Sequence, residues 1–294
     1  MTLEQLRIFV AVAERQHMTR AAQALNITQS AASAAIAALE ARHDAQLFDR
    51  VGRGLTLSEA GRAFLPEARA VLARAADAER LLDDLAGLKR GRIDIFASQT
   101  IGAYWLPPRL AAFGRAHPGI ELHLAIGNTA QVTEAVLSGA VELGFVEGAV
   151  EAPRLERRQV GADRLAMVAT PDHPLAQGRG FEVAALLDHR WARREAGSGT
   201  RSEFEQALRA LGVDPDALPC ALVLASNEAI LAAVTQGGLL AAVSELAARP
   251  LIASGALVAV GPELPPRPFD LVRHPDRRPS RAAAALLDSL SGAL

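Results

Sequence analysis

Thr28-Gln29-Ser30-Ala31-Ala32-Ser33-Ala34-Ala35-Ile36-Ala37-Ala38-Leu39-Glu40 is the stretch around which the rest of the chain is organised. Thr28 supplies a side-chain acceptor for the free N–H groups of a first helical turn. Ala32, Ala35, Ile36 and Leu39 recur at steps of three and four, one apolar stripe suited to packing on other helices. The opposite face carries Gln29 and Ser33 one turn apart, with Ser30 and Ala34 beside them, and no formal charge occurs between Thr28 and Glu40. Side chains this small let a helix axis approach base edges closely. Glutamine can bond adenine in the major groove, and serine can bond several bases. Standing alone, the same residues also describe an ordinary alanine-rich helix.

They do not stand alone. Thr2-Leu3-Glu4-Gln5 is a capping box opening an amphipathic helix with Leu3, Leu6, Phe9, Val10 and Ala13 on its apolar face. A second short helix is expected from about Thr19 to Leu25, and Asn26-Ile27 makes the turn into Thr28. Asparagine tolerates the left-handed backbone that a tight interhelical turn needs. Two short helices, a brief turn and a polar-faced second helix together spell a helix-turn-helix.

With these residues in place, Leu3 to about Leu72 resembles the N-terminal domain of LysR-type transcriptional regulators. The resemblance is carried by Arg20-Ala21-Ala22-Gln23-Ala24-Leu25, Thr28-Gln29-Ser30-Ala31-Ala32-Ser33, Leu39-Glu40, Leu47-Phe48-Asp49-Arg50 and Leu57-Ser58-Glu59-Ala60-Gly61. Ala32, where many relatives carry a branched residue, departs from the pattern. The resemblance implies a winged helix-turn-helix over residues 1–57 whose contacts to double-stranded promoter DNA come from Thr28, Gln29, Ser30 and Ser33. Bulk charge does not announce that partner, because residues 1–57 hold six arginines against five acids, a net of +1. Position does more. Arg50 and Arg53 bracket Val51-Gly52 on a hairpin that in the family is a wing touching backbone or minor groove, and the alternative is a pair of solvated loop arginines.

The chain has 294 residues and 50% apolar content, enough for a large core in two or three domains. One cysteine, Cys220, excludes an internal disulfide framework and argues against a cysteine metal cluster. The N-terminus lacks the basic start and apolar core of a signal peptide, and no uncharged apolar run reaches the ~20 residues of a membrane span. A cytoplasmic protein without a membrane partner is expected.

From Ser58 onward the pattern becomes one long helix. Leu57, Ala60, Phe64, Ala68, Val71, Ala75, Ala78, Leu82 and Leu85 alternate steps of four and three, a seam of ~30 residues or about 45 Å, with Pro66 bending its first turns. Such a seam needs a partner, and a second copy of the chain is the economical one. Packing within its own monomer is the alternative. A homodimer or homotetramer would set two reading helices about a twofold axis to address a palindromic site. Gly87-Leu88-Lys89-Arg90-Gly91 is the expected hinge that ends this linker, residues 58–90.

Beyond it, strands and helices alternate. Strands are expected at Ile93–Ala97, Ile120–Ile126, Val141–Val146, Arg164–Ala169, Trp191–Arg194, Leu218–Leu224 and Leu239–Val243. Helices are expected at Ile101–His117, Ala130–Ser138, Ser202–Leu211 and Glu228–Gln236. A Pro-rich crossing segment, residues 261–268, leads to a last strand, Phe269–Arg273, and a last helix, Arg281–Leu290. This alternation implies a mostly parallel α/β sheet covered by helices. The two sets of elements resemble the two-lobed periplasmic-binding-protein fold that LysR-type regulators use as a sensor. They give an effector-binding domain over residues 91–294, with lobe I at 91–161 and 267–294 and lobe II at 162–266.

Ligands of open α/β sheets bind at the carboxyl ends of the strands. Four loops there carry small hydrogen-bonding residues just before a helix: Ser98-Gln99-Thr100, Asn128-Thr129, Gly197-Ser198-Gly199-Thr200-Arg201 and Ser226-Asn227-Glu228. Converging helix N-termini favour a small anionic effector, although each loop alone also reads as a capped helix start. These loops, with Gly144-Phe145-Val146-Glu147-Gly148 and Arg193-Arg194-Glu195-Ala196, look like the LysR-type subgroup that controls sulfur metabolism and senses sulfite. A sulfur oxyanion and another small anion or carboxylate both remain as effectors. By that resemblance Ser98 and Thr100 donate hydroxyls, Asn128 an amide, and Arg194 or Arg201 the countercharge. Gln99, Thr129, Gly197, Ser198, Thr200 and Asn227 complete the site. Glu147 repels a dianion unless it is protonated or holds an arginine in place; otherwise it is a strand-end ion pair.

The seven histidines lack paired metal-ligand spacing, Gly197-Ser198-Gly199 is no nucleophile elbow, and no Walker loop occurs. No catalytic residue, metal or cofactor is therefore expected, and the chain reads as a ligand-gated DNA-binding regulator with RNA polymerase as a candidate further partner. A small-anion sequestering protein and an α/β enzyme are the competing readings.

Overall fold

The computed structural model describes residues 1–51, 54–85, 91–150, 152–177 and 182–291. The expected hinge residues Gly87–Arg90 and the wing-tip Arg53 lie outside the described residues, as does the side chain of Arg50. The chain divides into two compact units, Met1–Ala86 with Ser138–Ala140, and Gly87–Leu137 with Val141–Leu294.

In the N-terminal unit α1 spans Leu3–Arg15, α2 Met18–Ala24 and α3 Gln29–His43. The capping box closes α1: the Thr2 hydroxyl accepts from Gln5 N, and the Gln5 side chain accepts from Thr2 N. The His17 ring nitrogen accepts from Arg20 N to start α2, so this helix begins a residue earlier than Thr19. Left-handed residues make the corners: Gln16 at φ 48°, Asn26 at φ 54° in the turn before α3, and Asp44 at φ 48° closing it. The apolar stripes converge on Phe9, whose ring sits 5.4 Å from Phe48 and 5.1 Å from Phe64, with Leu6, Val12, Ala21, Ala32, Ile36 and Leu39 buried around it.

Strands β1 (Phe48–Val51) and β2 (Gly54–Leu57) pair antiparallel, Phe48 opposite Leu57 and Val51 opposite Gly54. Glu40 at the far end of α3 anchors them, one carboxylate oxygen accepting from Leu47 N at 2.7 Å and Phe48 N at 3.3 Å. Helix α4, Glu59–Leu85, starts at Ser58, whose hydroxyl donates to the Gln46 carbonyl and accepts from Gly61 N. Phe64, Leu65, Ala68 and Leu72 of α4 pack into the unit's own core, while Val71 and Leu82 remain exposed. The seam is thus divided between the monomer interior and a free face.

In the second unit β3 is Gly91–Ser98, followed by a π-helical turn (Ile101–Trp105) that runs into α5 (Leu106–Ala116) where Pro107-Pro108 permit a first turn. Next come β4 (Ile120–Gly127), α6 (Thr129–Ser138), β5 (Leu143–Glu147), β6 (Glu156–Ala169), α7 (Pro174–Gln177), β7 (Trp191–Arg194), α8 (Gly199–Ala210), β8 (Cys220–Leu224), α9 (Asn227–Val234), β9 (Ala241–Ser244), α10 (Glu245–Ala253), β10 (Val258–Val260), β11 (Pro266–Arg273) and α11 (Arg281–Ser291). The larger sheet has the order β10-β6-β11-β5-β3-β4, with β9 also on β6, and β7 pairs β8 separately.

Three expectations need correction. The sheet is mixed rather than mostly parallel: β3 is parallel to β4 and β5, and β7 to β8, but β11 runs antiparallel to β5 and β6, and β6 to β9 and β10. The return of the chain from one lobe to the other demands those reversed strands. The expected strand Arg164–Ala169 is only the end of the 14-residue β6. The supposed crossing segment is already strand from Pro266, paired to Arg164. Helix α10 and strand β10 were not anticipated, the former because Pro250 sits inside it. Two main cores lie along β6 and β11, one around Ile95, Leu106, Phe145, Phe269 and Leu286, the other around Met167, Trp191, Phe204 and Leu240. Among the described residues no helix is long and apolar enough to cross a membrane.

Gly61 is a required glycine, since a Cβ there would lie 2.1 Å from the Leu47 carbonyl oxygen. Gly61→Ala should destabilise the N-terminal unit by about 1–3 kcal/mol, the usual cost of overpacking. Urea unfolding should register this as a lower midpoint at unchanged slope.

Candidate functional site

The polar face of α3 is open to solvent. Gln29 and Ser30 are exposed and Ser33 is half-buried, while Ala32, Ile36 and Leu39 are buried beneath them. Gln29 Nε2 donates to Ser33 Oγ at 3.0 Å, and the Thr28 hydroxyl, besides capping Ala31 N, lies 3.0 Å from Ser30 Oγ. These contacts hold four short polar groups at one helix end without a charged neighbour on that face.

The second site lies at the carboxyl ends of the parallel strands. Ser98 ends β3, Glu147 ends β5 and Arg194 ends β7, while Asn128 and Asn227 follow β4 and β8. Ser198 and Ser226 cap α8 and α9, and the Asn128 side chain accepts from Gln131 N. Other side chains from the same loops turn inward instead. Ser98 donates to Glu147 Oε2, Thr200 donates to Glu147 Oε1 at 3.4 Å, and the Thr129 hydroxyl donates to the Glu147 carbonyl. Facing them is Arg267, only 1% exposed. It donates to Thr200 Oγ1 at 3.1 Å, Thr100 Oγ1 at 3.3 Å and Asp163 Oδ2 at 3.0 Å, with Glu147 Oε1 3.8 Å away. Its Nε–H has no acceptor among the described residues, a buried loss worth about 1–3 kcal/mol.

A second knot adjoins the first through Thr100 and Asn227. Asn227 donates its amide to Thr100 Oγ1 at 3.1 Å, and its backbone N–H to Gln99 Oε1 at 2.7 Å. Arg194 donates to Gln99 and Asn227 and grips both oxygens of Glu195, which also accepts from Asn128. Glu228 accepts from Tyr104 at 2.7 Å and from Gln99. A cavity of about 430 Å³ opens beside this assembly, lined among others by Thr129, Thr133, Ser198, Gly199 and Ser202.

With this geometry in view, residues 3–62 match the family described as bacterial regulatory helix-turn-helix protein, lysR family, and residues 86–294 match the LysR substrate binding domain. The chain belongs to the LysR family. It is 35% identical to the HTH-type transcriptional regulator YeiE of Escherichia coli K12 over 98% of this chain and 96% of that protein. To the regulator CysL of Bacillus subtilis it is 30% identical, over 81% of this chain and 78% of that one. Among solved structures, full-length CbnR complexed with its target DNA superposes with a TM-score of 0.69 at 21% identity, covering 100% of each chain, a likeness of fold. This LysR-family protein is accordingly a DNA-binding transcriptional regulator with an effector-binding domain, not an enzyme.

Ser98, Gln99, Thr100, Asn128, Thr129, Glu147, Arg194, Thr200 and Asn227 are joined by these bonds, and Gly197, at φ 84°, with Ser198 forms the adjoining loop. Arg201 is not among them: its Nε donates to Glu205 at 2.7 Å, one turn along α8, where Arg193 also pairs. Sequence reasoning missed Arg267 and Asp163. They stand opposite each other in β11 and β6, so only the antiparallel register, invisible in either segment alone, reveals them. An arginine between Pro266 and Pro268 in an apolar strand was the available hint.

The charges shape one another. Burial works to raise the Glu195 carboxyl, but bonding and attraction from Arg194, helped by Asn128, hold it below the usual range. Glu228 is likewise lowered against burial, by Tyr104, Gln99 and Ser226, and burial with Glu228 pushes the Tyr104 phenol up. Burial also raises Glu203, opposed by Arg267 and reinforced by Glu147. Because Glu195 and Glu228 are lowered on folding, the stability they lend is complete above the ordinary glutamate value of about 4.3 and is lost as pH falls through their folded values. Unfolding measured from pH 6 to 3 should therefore show a steep acid limb that flattens in Glu195→Gln and Glu228→Gln.

Proposed function

We propose that the protein grips promoter DNA in the cytoplasm as a homodimer or homotetramer and that a small anion in the effector-binding domain alters that grip. In this reading residues 1–57 read DNA and residues 58–90 join copies. The sensing lobes are 91–161 with 267–294, and 162–266. The supporting observation is the convergence of Thr100 and Thr200 on buried Arg267, with Ser98 bonded to the neighbouring Glu147. The free polar end of α3 supports Thr28, Gln29, Ser30 and Ser33 as DNA contacts, with Arg50 and Arg53 on the wing. Val71 and Leu82, exposed at 42% and 69%, support pairing along α4.

The loop resemblance to the sulfite-sensing subgroup favours sulfite or a related sulfur oxyanion; another small anion or carboxylate is the second reading. Binding changes the angle between lobes, and a small rotation changes the cost of bending DNA, which runs to a few kcal/mol. The switch requires different affinity for the ligand in two states. Footprinting with and without sulfite tests it, and an unchanged footprint and assembly would reject it.

Gln29→Ala should weaken specific promoter binding by roughly 1–3 kcal/mol and spare non-specific DNA; equal losses on both DNAs refute the assignment. A hundredfold excess of a binding anion over its Kd should stabilise the protein by ~2.7 kcal/mol. Ser98→Ala and Thr100→Ala should each abolish that gain in thermal melts, and a full gain in both variants moves the site elsewhere.

A further inference from the structure

Three arginines lie in or near the effector cluster, and their hydrogen bonding separates them. Arg194 has four of its five N–H donors engaged: Nε and Nη2 bond the two oxygens of Glu195, while Nη1 donates to Gln99 and Asn227. Arg201 is committed to Glu205. Arg267 differs, for its Nε–H has no acceptor among the described residues although the side chain is 1% exposed. A guanidinium has five N–H donors. Thr200, Thr100 and Asp163 accept three of them, and Glu147, at 3.8 Å, is beyond hydrogen-bond reach. Arg267 therefore keeps donor capacity that the protein does not use.

Its charge, however, is already cancelled. Asp163 pairs directly with Arg267 as its cross-strand neighbour, and Glu147 adds a second buried carboxylate. A fully deprotonated dianion would thus meet one cation and two carboxylates in low dielectric, an arrangement that repels it. A ligand with an acceptor oxygen for Arg267 and an O–H of its own for Glu147 meets both groups favourably. Glu147 has the capacity: its two oxygens offer about four lone-pair sites, and the described donors to them are Ser98 and Thr200, the latter at a long 3.4 Å.

We propose that Arg267 and Glu147 form a donor–acceptor pair that selects oxyanions carrying an O–H, such as hydrogensulfite, protonated phosphate or a hydroxy acid, over those with none. This rests on the reading of the cleft as an anion site. No bond is made or broken; the ligand keeps its proton and donates it in a hydrogen bond to the Glu147 carboxylate. Inorganic phosphate and sulfate are suitable probes, since they share size and shape while only phosphate carries O–H at neutral pH.

The test is titration calorimetry at pH 7 on the full-length protein with sulfite, phosphate and sulfate, repeated on Glu147→Gln and Arg267→Lys. Wild type should bind phosphate and sulfite at least about tenfold more tightly than sulfate, the scale of one hydrogen bond to a charged group. In Glu147→Gln, near-isosteric and able to donate as well as accept, the preference should fall to within about threefold. Arg267→Lys, lacking the Nε–H, should weaken all bound anions about tenfold. Sulfate bound by wild type as tightly as phosphate, or a preference that survives Glu147→Gln, overturns the selection while leaving the anion site standing. If wild type binds none of the three, the anion reading itself fails and the selection with it. Should Arg267→Lys not fold, the Glu147→Gln comparison decides alone.

Discussion

A buried arginine facing two buried carboxylates is the constraint on which the effector-binding half depends. Arg267, Asp163 and Glu147 come from β11, β6 and β5, and all three are at least nine-tenths buried. Breaking one partner from such a group costs about 3–5 kcal/mol, because the charge left behind stays out of water. The two crossing strands are thereby pinned in register at the point where they pass between the cores, and Thr100 and Thr200 from opposite lobes are tied to the same guanidinium. Under the proposed function, structure and ligand chemistry would share one set of atoms, and a molecule competing for them would act on this pinned junction directly.

The DNA-reading half solves a different problem, which is to present an uncharged helix end rigidly. Its rigidity comes from below and behind. Phe9 shares one core with Ala32, Ile36 and Leu39 of α3, and the Glu40 carboxylate accepts from the two N–H groups that begin the wing. Gln16, Asn26 and Asp44 turn the chain sharply in the left-handed region, which asparagine and aspartate tolerate best. The exposed tip is left with amides and hydroxyls, the directional groups that the proposed base contacts would use.

Much of this was legible beforehand because it is written locally. The capping box at Thr2, the Thr28 cap, the left-handed turn at Asn26 and the strand-end loops each follow from a few consecutive residues. The linker helix followed from spacing, and the wing from the family resemblance. What escaped notice depends on distant pairing: the first half of β6 alternates Glu156, Arg157, Arg158 and Gln159 like a solvent loop, yet β11 holds it along its whole length. Pro265-Pro266 and Pro268 disguised β11 itself, since proline usually marks edges and turns. Arg267 and Asp163 stayed hidden for the same reason, and Arg201 looked like a countercharge only because its commitment to Glu205 is a helical i,i+4 contact that competes with any ligand. A π-helical turn after Ser98, rather than a plain helix start, likewise freed Thr100 from capping and turned its hydroxyl inward.

The start of α8 meets the end of β5 as bare main chain. A Cβ on Gly199 would lie 1.9 Å from the Glu147 carbonyl oxygen, and Gly148, at φ 86°, faces the Gly199 Cα. With no side chain between them, the two backbones touch like a shaft in a bearing. Sliding the start of α8 across the end of β5 would drive peptide into peptide, so this seat resists translation along it. How closely the two elements meet is in that sense set by two missing methyl groups.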